Sequence, residues 1–295
     1  ELIDAGGQDQ VRLVADGQAD LTVTDFDAQT DQEIREINGG QLDADSLTTV
    51  LIDHSGYGYI GMNARNVCVG DDAGSEASRN LRRAFATLFA AYREEAILSY
   101  YGESARLIEY PISAVSWAAP QPEEDDYRTA FSTDVDGNEI YSEDMSSQER
   151  YEAAKEAALG FFQAAGYTVE DGKVTKAPDG ARLSYQVQIP GEGEGNHPAW
   201  QILTSVKDVL EQMGITLEIR DFANTADLWN ALRAGTVEMW CAAWTAGVDP
   251  DMYSVYYAAV SRDGEGAGSS SQLFRIEDLV LDEMVLMARE GENRT

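Results

Sequence analysis

The residues best suited to binding chemistry lie in a short aromatic and acidic segment that ends near residue 253. The segment follows an apolar run, 237–244, and brings together an indole, a hydroxyl group and two carboxylates. An indole at the end of a strand offers a flat apolar wall, and nearby hydroxyl and backbone groups can fix the polar parts of a ligand. We therefore predict a ligand-binding loop. Its candidate residues are Trp244, Thr245, Ala246, Gly247, Asp249, Asp251 and Tyr253.

A purely structural interpretation of the same segment stays open. Pro250 restricts the backbone of Asp249, so the segment can also be an ordinary turn with solvated aspartates. Trp240 and Trp244 share one face of the predicted strand, and both can be core residues.

Four elements precede the loop and are predicted to position it. Apolar residues recur every three or four positions over 199–213, which predicts a helix, and alternate over 215–219, which predicts a strand. Asn224 or Thr225 can begin a second helix before the apolar run 237–244. Alternating helices and strands indicate an open α/β sheet, in which ligands bind beyond the carboxyl ends of the strands.

Other segments show weaker patterns. Apolar spacing predicts strands over 21–26, 47–52 and 57–63, and a helix with a strong apolar face over 78–92. Residues 173–178 are predicted to form a turn region.

Five motifs occur in a fixed order along nearly the whole chain. They are Asp16-Gly17-Gln18-Ala19-Asp20-Leu21, then Gly61-Met62-Asn63 with Asn80-Leu81-Arg82-Arg83-Ala84-Phe85-Ala86, then Gly166-Tyr167 with Asp171-Gly172-Lys173, then Leu210-Glu211-Gln212-Met213-Gly214-Ile215, and Trp244 followed by Asp249-Pro250. In this order they resemble the second half of a family 5 solute-binding protein. That family contains the oligopeptide-type and dipeptide-type receptors of ABC importers.

The resemblance implies a fold and a partner. The fold class is α/β, one lobe of a type II periplasmic-binding-protein-like fold with a mixed open sheet flanked by helices. Residues 1–295 are expected to form a single lobe with a surface excursion at about 120–145, while the other lobe, the signal and the lipid anchor lie outside this sequence. The parent would be a monomer at the extracellular face of the cell membrane or in the periplasm, and its partners would be a ligand and a membrane permease.

The loop departs from the family pattern at one position. In peptide-binding members, the resemblance implies an acid three places after Trp244 that pairs with the ammonium group of the peptide. Gly247 occupies that place here, and the loop before Asp249-Pro250 is one residue shorter. Either Asp249 or Asp251 substitutes for the missing acid, or the ligand is not a free peptide.

Composition excludes several classes of function. The 295 residues include 21 basic and 53 acidic ones, giving a formal net charge of −32. This charge disfavours binding to nucleic acid or anionic lipid, and it fits a secreted, cell-surface or salt-adapted protein. A catalytic role is not expected, because His54 and His197 are the only histidines and neither adjoins a nucleophile pattern.

No cofactor or metal site is predicted either. Cys68 and Cys241 have no neighbouring ligands at zinc spacing, and the sequence leaves open whether they form a disulfide. The glycine-rich stretch 191–195 lacks the Lys-Ser/Thr ending of a phosphate loop and carries two glutamates.

One acidic segment partly matches a calcium loop. The matching residues are Ser132, Asp134, Asp136, Gly137 and Glu143. Serine at the first position and Glu139 at the hydrophobic position weaken the match, so an Asp-Gly hairpin turn is favoured.

Three hypotheses about function remain. The first is a solute-binding lobe for peptides or another small organic solute that is handed to an ABC permease. The second is a carbohydrate or metal-chelate receptor on the same fold, suggested by the missing acid and the aromatic residues of the loop. The third is an acidic surface interaction module without a small-molecule ligand.

Overall fold

The computed structural model describes residues 9–24, 26–190, 198–222, 224–259 and 272–291. These residues fall into two compact units, one built from 1–54 with 95–107 and the other from 55–94 with 108–295. Among the described helices, none combines the length and the apolar composition needed to cross a bilayer.

The smaller unit is built around two short helices. They are α1 (Gln10–Ala15) and α2 (Ala28–Ile37), and each begins at an aspartate whose carboxylate accepts a backbone N–H of the first turn. Val11, Ile34 and Leu47 form their buried cluster, against which Phe26 packs. The end of α3 (Glu76–Tyr101) and a 3-10 turn (Gly102–Ser104) belong to this unit as well.

Neither strand predicted in this unit forms. The described residues 21–24, 26 and 47–52 are irregular, with Val23 90% and Ile52 86% exposed. A strand needs a neighbouring strand to accept and donate its backbone hydrogen bonds. In the second segment, side-chain oxygens accept two of the backbone N–H groups instead. Asn38 Oδ1 accepts the Leu47 N–H at 3.0 Å and Asp43 Oδ1 accepts the Thr49 N–H at 3.2 Å.

The larger unit contains an open mixed sheet. Its strands are β1 (Tyr57–Met62), β4 (Ser184–Pro190), β5 (Thr216–Phe222) and β6 (Met239–Trp244), in the order β1-β6-β4-β5. β4 runs parallel to both β5 and β6, and β1 runs antiparallel to β6 with Tyr57 opposite Trp244. The carboxyl ends of three strands and the start of β1 therefore meet at one edge. This arrangement confirms the predicted α/β class with a mixed open sheet.

Six helices accompany this sheet in the described part of the chain. They are α3, α4 (Ser147–Ala164), α5 (Pro198–Gln212), α6 (Thr225–Ala234), the single turn α7 (Tyr253–Tyr256) and α8 (Leu279–Glu290). Phe85, Phe162 and Tyr185 pack edge to face in the fully buried core, and Leu203 and Leu210 of α5 are fully buried as well.

The elements before the loop follow the sequence prediction closely. Asn224 caps α6 through a hydrogen bond from the Asp227 N–H, and Gly235 ends the helix at a φ of 72°. One segment differs, since Lys173–Lys176 forms strand β3, paired with β2 (Thr168–Glu170), where a turn was predicted. The turn itself lies at Asp171 and Gly172, whose positive φ angles suit a tight hairpin.

The two cysteines are free thiols, so the disulfide that the sequence leaves open does not form. Cys241 is fully buried on β6, and burial raises its pKa to about 12, while burial also raises the pKa of the partly exposed Cys68. Fewer thiolates at neutral pH mean slower reaction with a disulfide reagent.

We expect two reactive thiols per chain in denaturant but only one in the native state. Cys68 should react slowly at pH 7 and faster as the pH rises, because only its thiolate attacks the reagent. Cys241 should react only after unfolding. Absorbance of released thionitrobenzoate measures both, and Cys68→Ser is the control that should abolish the native reaction; rapid native modification of Cys241 would contradict the buried position.

Candidate functional site

The candidate loop begins where β6 ends. Trp240, in the middle of the strand, is fully buried, so for this residue the core interpretation is correct. Trp244 at the strand end is only partly buried, and its ring stacks on Tyr59 of β1 at 5.2 Å with an interplanar angle of 16°. The ring centroid of Trp229 on α6 lies 6.0 Å from that of Trp244. The Trp244 indole thus has aromatic neighbours on both a strand and a helix.

Three hydrogen bonds shape the loop after Trp244. Ser55 Oγ donates to the Ala246 carbonyl at 2.7 Å, which ties the loop to the chain entering β1. Asp249 Oδ1 accepts the Asp251 N–H at 3.1 Å, and Asp251 Oδ1 accepts the Tyr253 N–H at 2.9 Å. Aspartates that accept an N–H two residues on are turn formers, so the turn interpretation of this segment is correct as well.

The two aspartates differ in what else they contact. Asp251 Oδ2 lies 3.5 Å from Arg289 Nε, and the Arg289 guanidinium sits 4.3 Å above the Tyr253 ring. Asp249 is exposed and its described contact is the turn hydrogen bond. Thr245 and Gly247 are exposed, whereas Ala246 and Tyr253 are partly buried. All seven predicted residues thus lie between the end of β6 and the first residue of α7, and three of them are exposed.

Further aromatic contacts lie beside the loop, and of the residues that make them the sequence had indicated Tyr253, Tyr256 and Tyr257 but not Phe274. Tyr253 stacks on Tyr257 at 4.4 Å, and Tyr256 stacks on Phe274 at 5.5 Å. Burial raises the pKa of Tyr59 to about 12 and raises that of Tyr256 too, so both phenols stay protonated at neutral pH. These rings supply apolar faces and neutral O–H groups.

Arg289 and the β1 tyrosines were missed for different reasons. Arg289 lies far downstream on α8, and no local pattern connects it to Asp251. Tyr57 and Tyr59 alternate with glycines within β1, a visible signal, but only the antiparallel register with β6 shows that they adjoin Trp244.

The other segments with possible site chemistry lie elsewhere. Asp134 Oδ1 accepts the N–H groups of Asp136 and Asn138, and Thr133 pairs with Glu139, which is the predicted Asp-Gly turn. In the described part of the chain no three His, Cys, Asp or Glu side chains cluster as metal ligands. His197 and the stretch 191–195 lie outside the described residues.

Two depressions on the described surface contain no residue of the loop. One, of about 510 Å³, lies beside α4 and the β2–β3 hairpin and is lined by Lys155, Asp171 and Gln212 among others. The other, of about 570 Å³, runs along β5 beside Lys207 and Glu211.

The chain matches a known protein family over most of its length. Residues 7–266 match bacterial extracellular solute-binding proteins, family 5 Middle. No curated protein sequence is significantly similar.

Several solved structures share the fold. One is the oligopeptide-binding protein AppA from Bacillus subtilis in complex with a nonapeptide, with a TM-score of 0.57, 18% identity, and coverage of 82% of this chain and 40% of that chain. CtaP from Listeria monocytogenes, an ABC transporter substrate-binding protein, gives a TM-score of 0.56, 12% identity, and coverage of 97% and 46%. DppA from Helicobacter pylori, in complex with the peptide STSA, gives a TM-score of 0.53 and 14% identity, with coverage of 90% of this chain and 41% of that chain.

These similarities confirm the type II periplasmic-binding-protein-like fold. The chain spans less than half the length of each of these three proteins.

Proposed function

Because the chain belongs to the bacterial extracellular solute-binding proteins of family 5, we propose that it is part of the substrate-binding component of an ABC importer. Its ligands are oligopeptides or dipeptides, bound in a cleft between two lobes and delivered to a membrane permease. The family match over residues 7–266 carries this proposal. The full-length parent is an extracellular or periplasmic monomer, lipid-anchored in the first case, and residues 1–295 contribute one lobe of it.

The loop after β6 supplies one wall of that cleft. It lies beyond the carboxyl end of a strand, where open α/β sheets bind ligands. The stacked Trp244 and Tyr59 rings offer a preformed apolar surface for a ligand side chain, and the exposed Thr245 adds a hydroxyl group. The Trp244 Nε1 is buried without a hydrogen-bond partner among the described residues.

Of the two aspartates, Asp249 is the better partner for a peptide ammonium group. Asp251 is already paired with Arg289, so its negative charge is partly neutralised. Asp249 is exposed, and only one of its two oxygens serves the turn. We therefore assign to Asp249 the role that the family pattern would give to an acid at Gly247.

The aromatic surface also favours a second candidate, a carbohydrate or metal-chelate receptor on the same fold. Flat rings with neutral phenol groups bind uncharged faces of a ligand as well as peptide side chains. Native mass spectrometry of the parent, purified without refolding, separates the candidates. A released ladder of peptides supports the first, a single sugar or chelate supports the second, and a clean apo mass after incubation with both libraries would contradict both.

Asp249→Asn is expected to weaken binding of peptides with a free N-terminus by about tenfold, since a charge-assisted hydrogen bond is replaced by a neutral one. For the same peptides with an acetylated N-terminus, the wild type and Asp249→Asn should bind with equal affinity. Isothermal titration of the full-length parent measures both. Asp208→Asn on α5, which removes the same charge from an exposed position, is the control. Equal losses for free and acetylated peptides would rule out ammonium recognition by Asp249.

A further inference from the structure

The single-turn helix α7 and the chain around it contact α8 and the chain that leads into α8. α7 has only four residues and no side-chain cap at its start. A helix of one turn does not persist by itself, because too few hydrogen bonds offset the ordering of its backbone. Other parts of the chain must therefore fix the segment 249–259, which contains three of the candidate site residues.

The first fixing contact is made by a buried carboxylate. Asp282, in the first turn of α8, is only 6% exposed, and its Oδ1 accepts the Ala258 N–H at 2.8 Å. Burying a carboxylate is costly unless hydrogen bonds compensate it, so an acid at this place is there to hold a donor.

The second contact comes from the other end of the same helix. Arg289 pairs with Asp251 and lies over Tyr253. It follows Asp282 by seven residues, which is nearly two helical turns, so both side chains leave the same face of α8 about 10 Å apart. The helix thus contacts the segment near its start and near its end.

A third contact fixes the middle of the segment. Gln272, only 5% exposed, donates through Nε2 to the carbonyls of Tyr256 and Ile276. Next to it, the Phe274 ring stacks on Tyr256. The chain that leads into α8 therefore holds α7 by its backbone and by one of its rings.

From these contacts we infer that α8 is the positioning element of the candidate ligand loop, with Asp282 as its principal positioning residue and Arg289 as the second. This inference rests on the proposed function for the statement that the loop binds a ligand. Asp282 acts on this segment through the Ala258 backbone N–H, which its Oδ1 accepts. The conformation of Asp251 and Tyr253 is thereby set by contacts with α8, a helix to which neither residue belongs.

Hydrogen exchange of the ligand-free chain, followed by mass spectrometry, tests the inference. Asp282→Ala should accelerate exchange in peptides covering 253–259 by at least about tenfold, because the acceptor of the Ala258 N–H is removed. Peptides covering β4 and β5 should be unchanged. Asp282→Asn keeps an acceptor oxygen and should restore most of the protection. Glu283→Ala, its exposed neighbour, is the matched control and should leave exchange as in the wild type.

Unchanged exchange over 253–259 in Asp282→Ala would overturn the inference, and so would equal acceleration in β4 and β5, which would indicate a general loss of stability. If Asp282→Ala fails to fold, Arg289→Gln provides the second test, with faster exchange at the start of the same segment expected. Since no ligand is present, these results do not depend on the proposed function. Failure of that function would instead appear as the absence of peptide binding by the wild-type parent.

Discussion

Raising the NaCl concentration from 0.1 M to 1 M is expected to raise the melting temperature of this chain by about 10 °C. The cause is the net charge of −32, whose mutual repulsion opposes the compact state. The screening length falls from about 10 Å to about 3 Å over this range, which removes most of the repulsion between separated carboxylates.

Salt also weakens ion pairs, but this effect is smaller. Arg12 with Glu33 and Arg35 with Asp31 are exposed pairs, and such pairs contribute about 0–1 kcal/mol each. With 53 acidic residues against 21 basic ones, 32 acids have no basic counterpart in the composition. Salt screening therefore stabilises the folded state, because it reduces the repulsion more than it weakens the ion pairs.

Thermal unfolding followed by circular dichroism measures the effect, and sodium sulfate provides the control. Screening depends on ionic strength alone, so chloride and sulfate should act equally at matched ionic strength below about 0.5 M. Sulfate should raise the melting temperature more than chloride does only at higher concentrations, where it strengthens the burial of apolar surface. A melting temperature that is flat or falls between 0.1 M and 1 M NaCl would show that self-repulsion is not the dominant electrostatic contribution.

Gly214→Ala is expected to destabilise the larger unit by at least about 3 kcal/mol, or to prevent its folding. Gly214 follows α5 with a φ of 85°, and its N–H donates to the Glu211 carbonyl while that of Ile215 donates to Leu210. A Cβ there would lie 2.3 Å from the Val174 carbonyl oxygen. Because that oxygen is backbone, β3 would have to move away, and the hydrogen bond from the Val174 N–H to the Met213 carbonyl would break.

Gly172→Ala separates the two causes of this loss. Gly172 has a similar φ of 72°, but a Cβ at this position meets nothing within 4 Å. It should cost only the strain of the left-handed conformation, about 1 kcal/mol. Urea unfolding of both variants gives the comparison. Equal losses would mean that β3 yields to the methyl group at no cost, which would contradict the close packing of the hairpin against the end of α5.

The elements that the sequence predicts well are those whose signals lie within one short window. α5, β5 and α6 follow from the spacing of apolar residues, and their ends follow from Gly214, Asn224 and Gly235. Each signal involves only neighbours along the chain, so a single sequence contains it. The class of fold follows from the order of these elements.

The predictions that failed depend on polar contacts and strand pairing, which the spacing of apolar residues does not reveal. Residues 47–52 have the apolar spacing of a strand, but Asn38 and Asp43 take up backbone donors of this segment. For the site, the turn that the sequence allows at Asp249 and Asp251 forms, while the binding role of the loop stays a prediction. The sequence cannot show that Arg289 forms an ion pair with Asp251 while Asp249 stays exposed, because that ion pair depends on how α8 packs.

The pairing of β1 with β6 determines when the site can form during synthesis. The hydrogen bond from Trp240 Nε1 to the Tyr59 hydroxyl joins residues 181 positions apart in the sequence. β1 emerges from the ribosome before β6 and stays without this strand partner until β6 has been made. Closing such a long loop is also slow. During that interval its aromatic edge is open to other chains. A chaperone that shields Tyr57 and Tyr59 until residue 244 is complete would therefore raise the yield of folded protein more than one that acts on the finished chain.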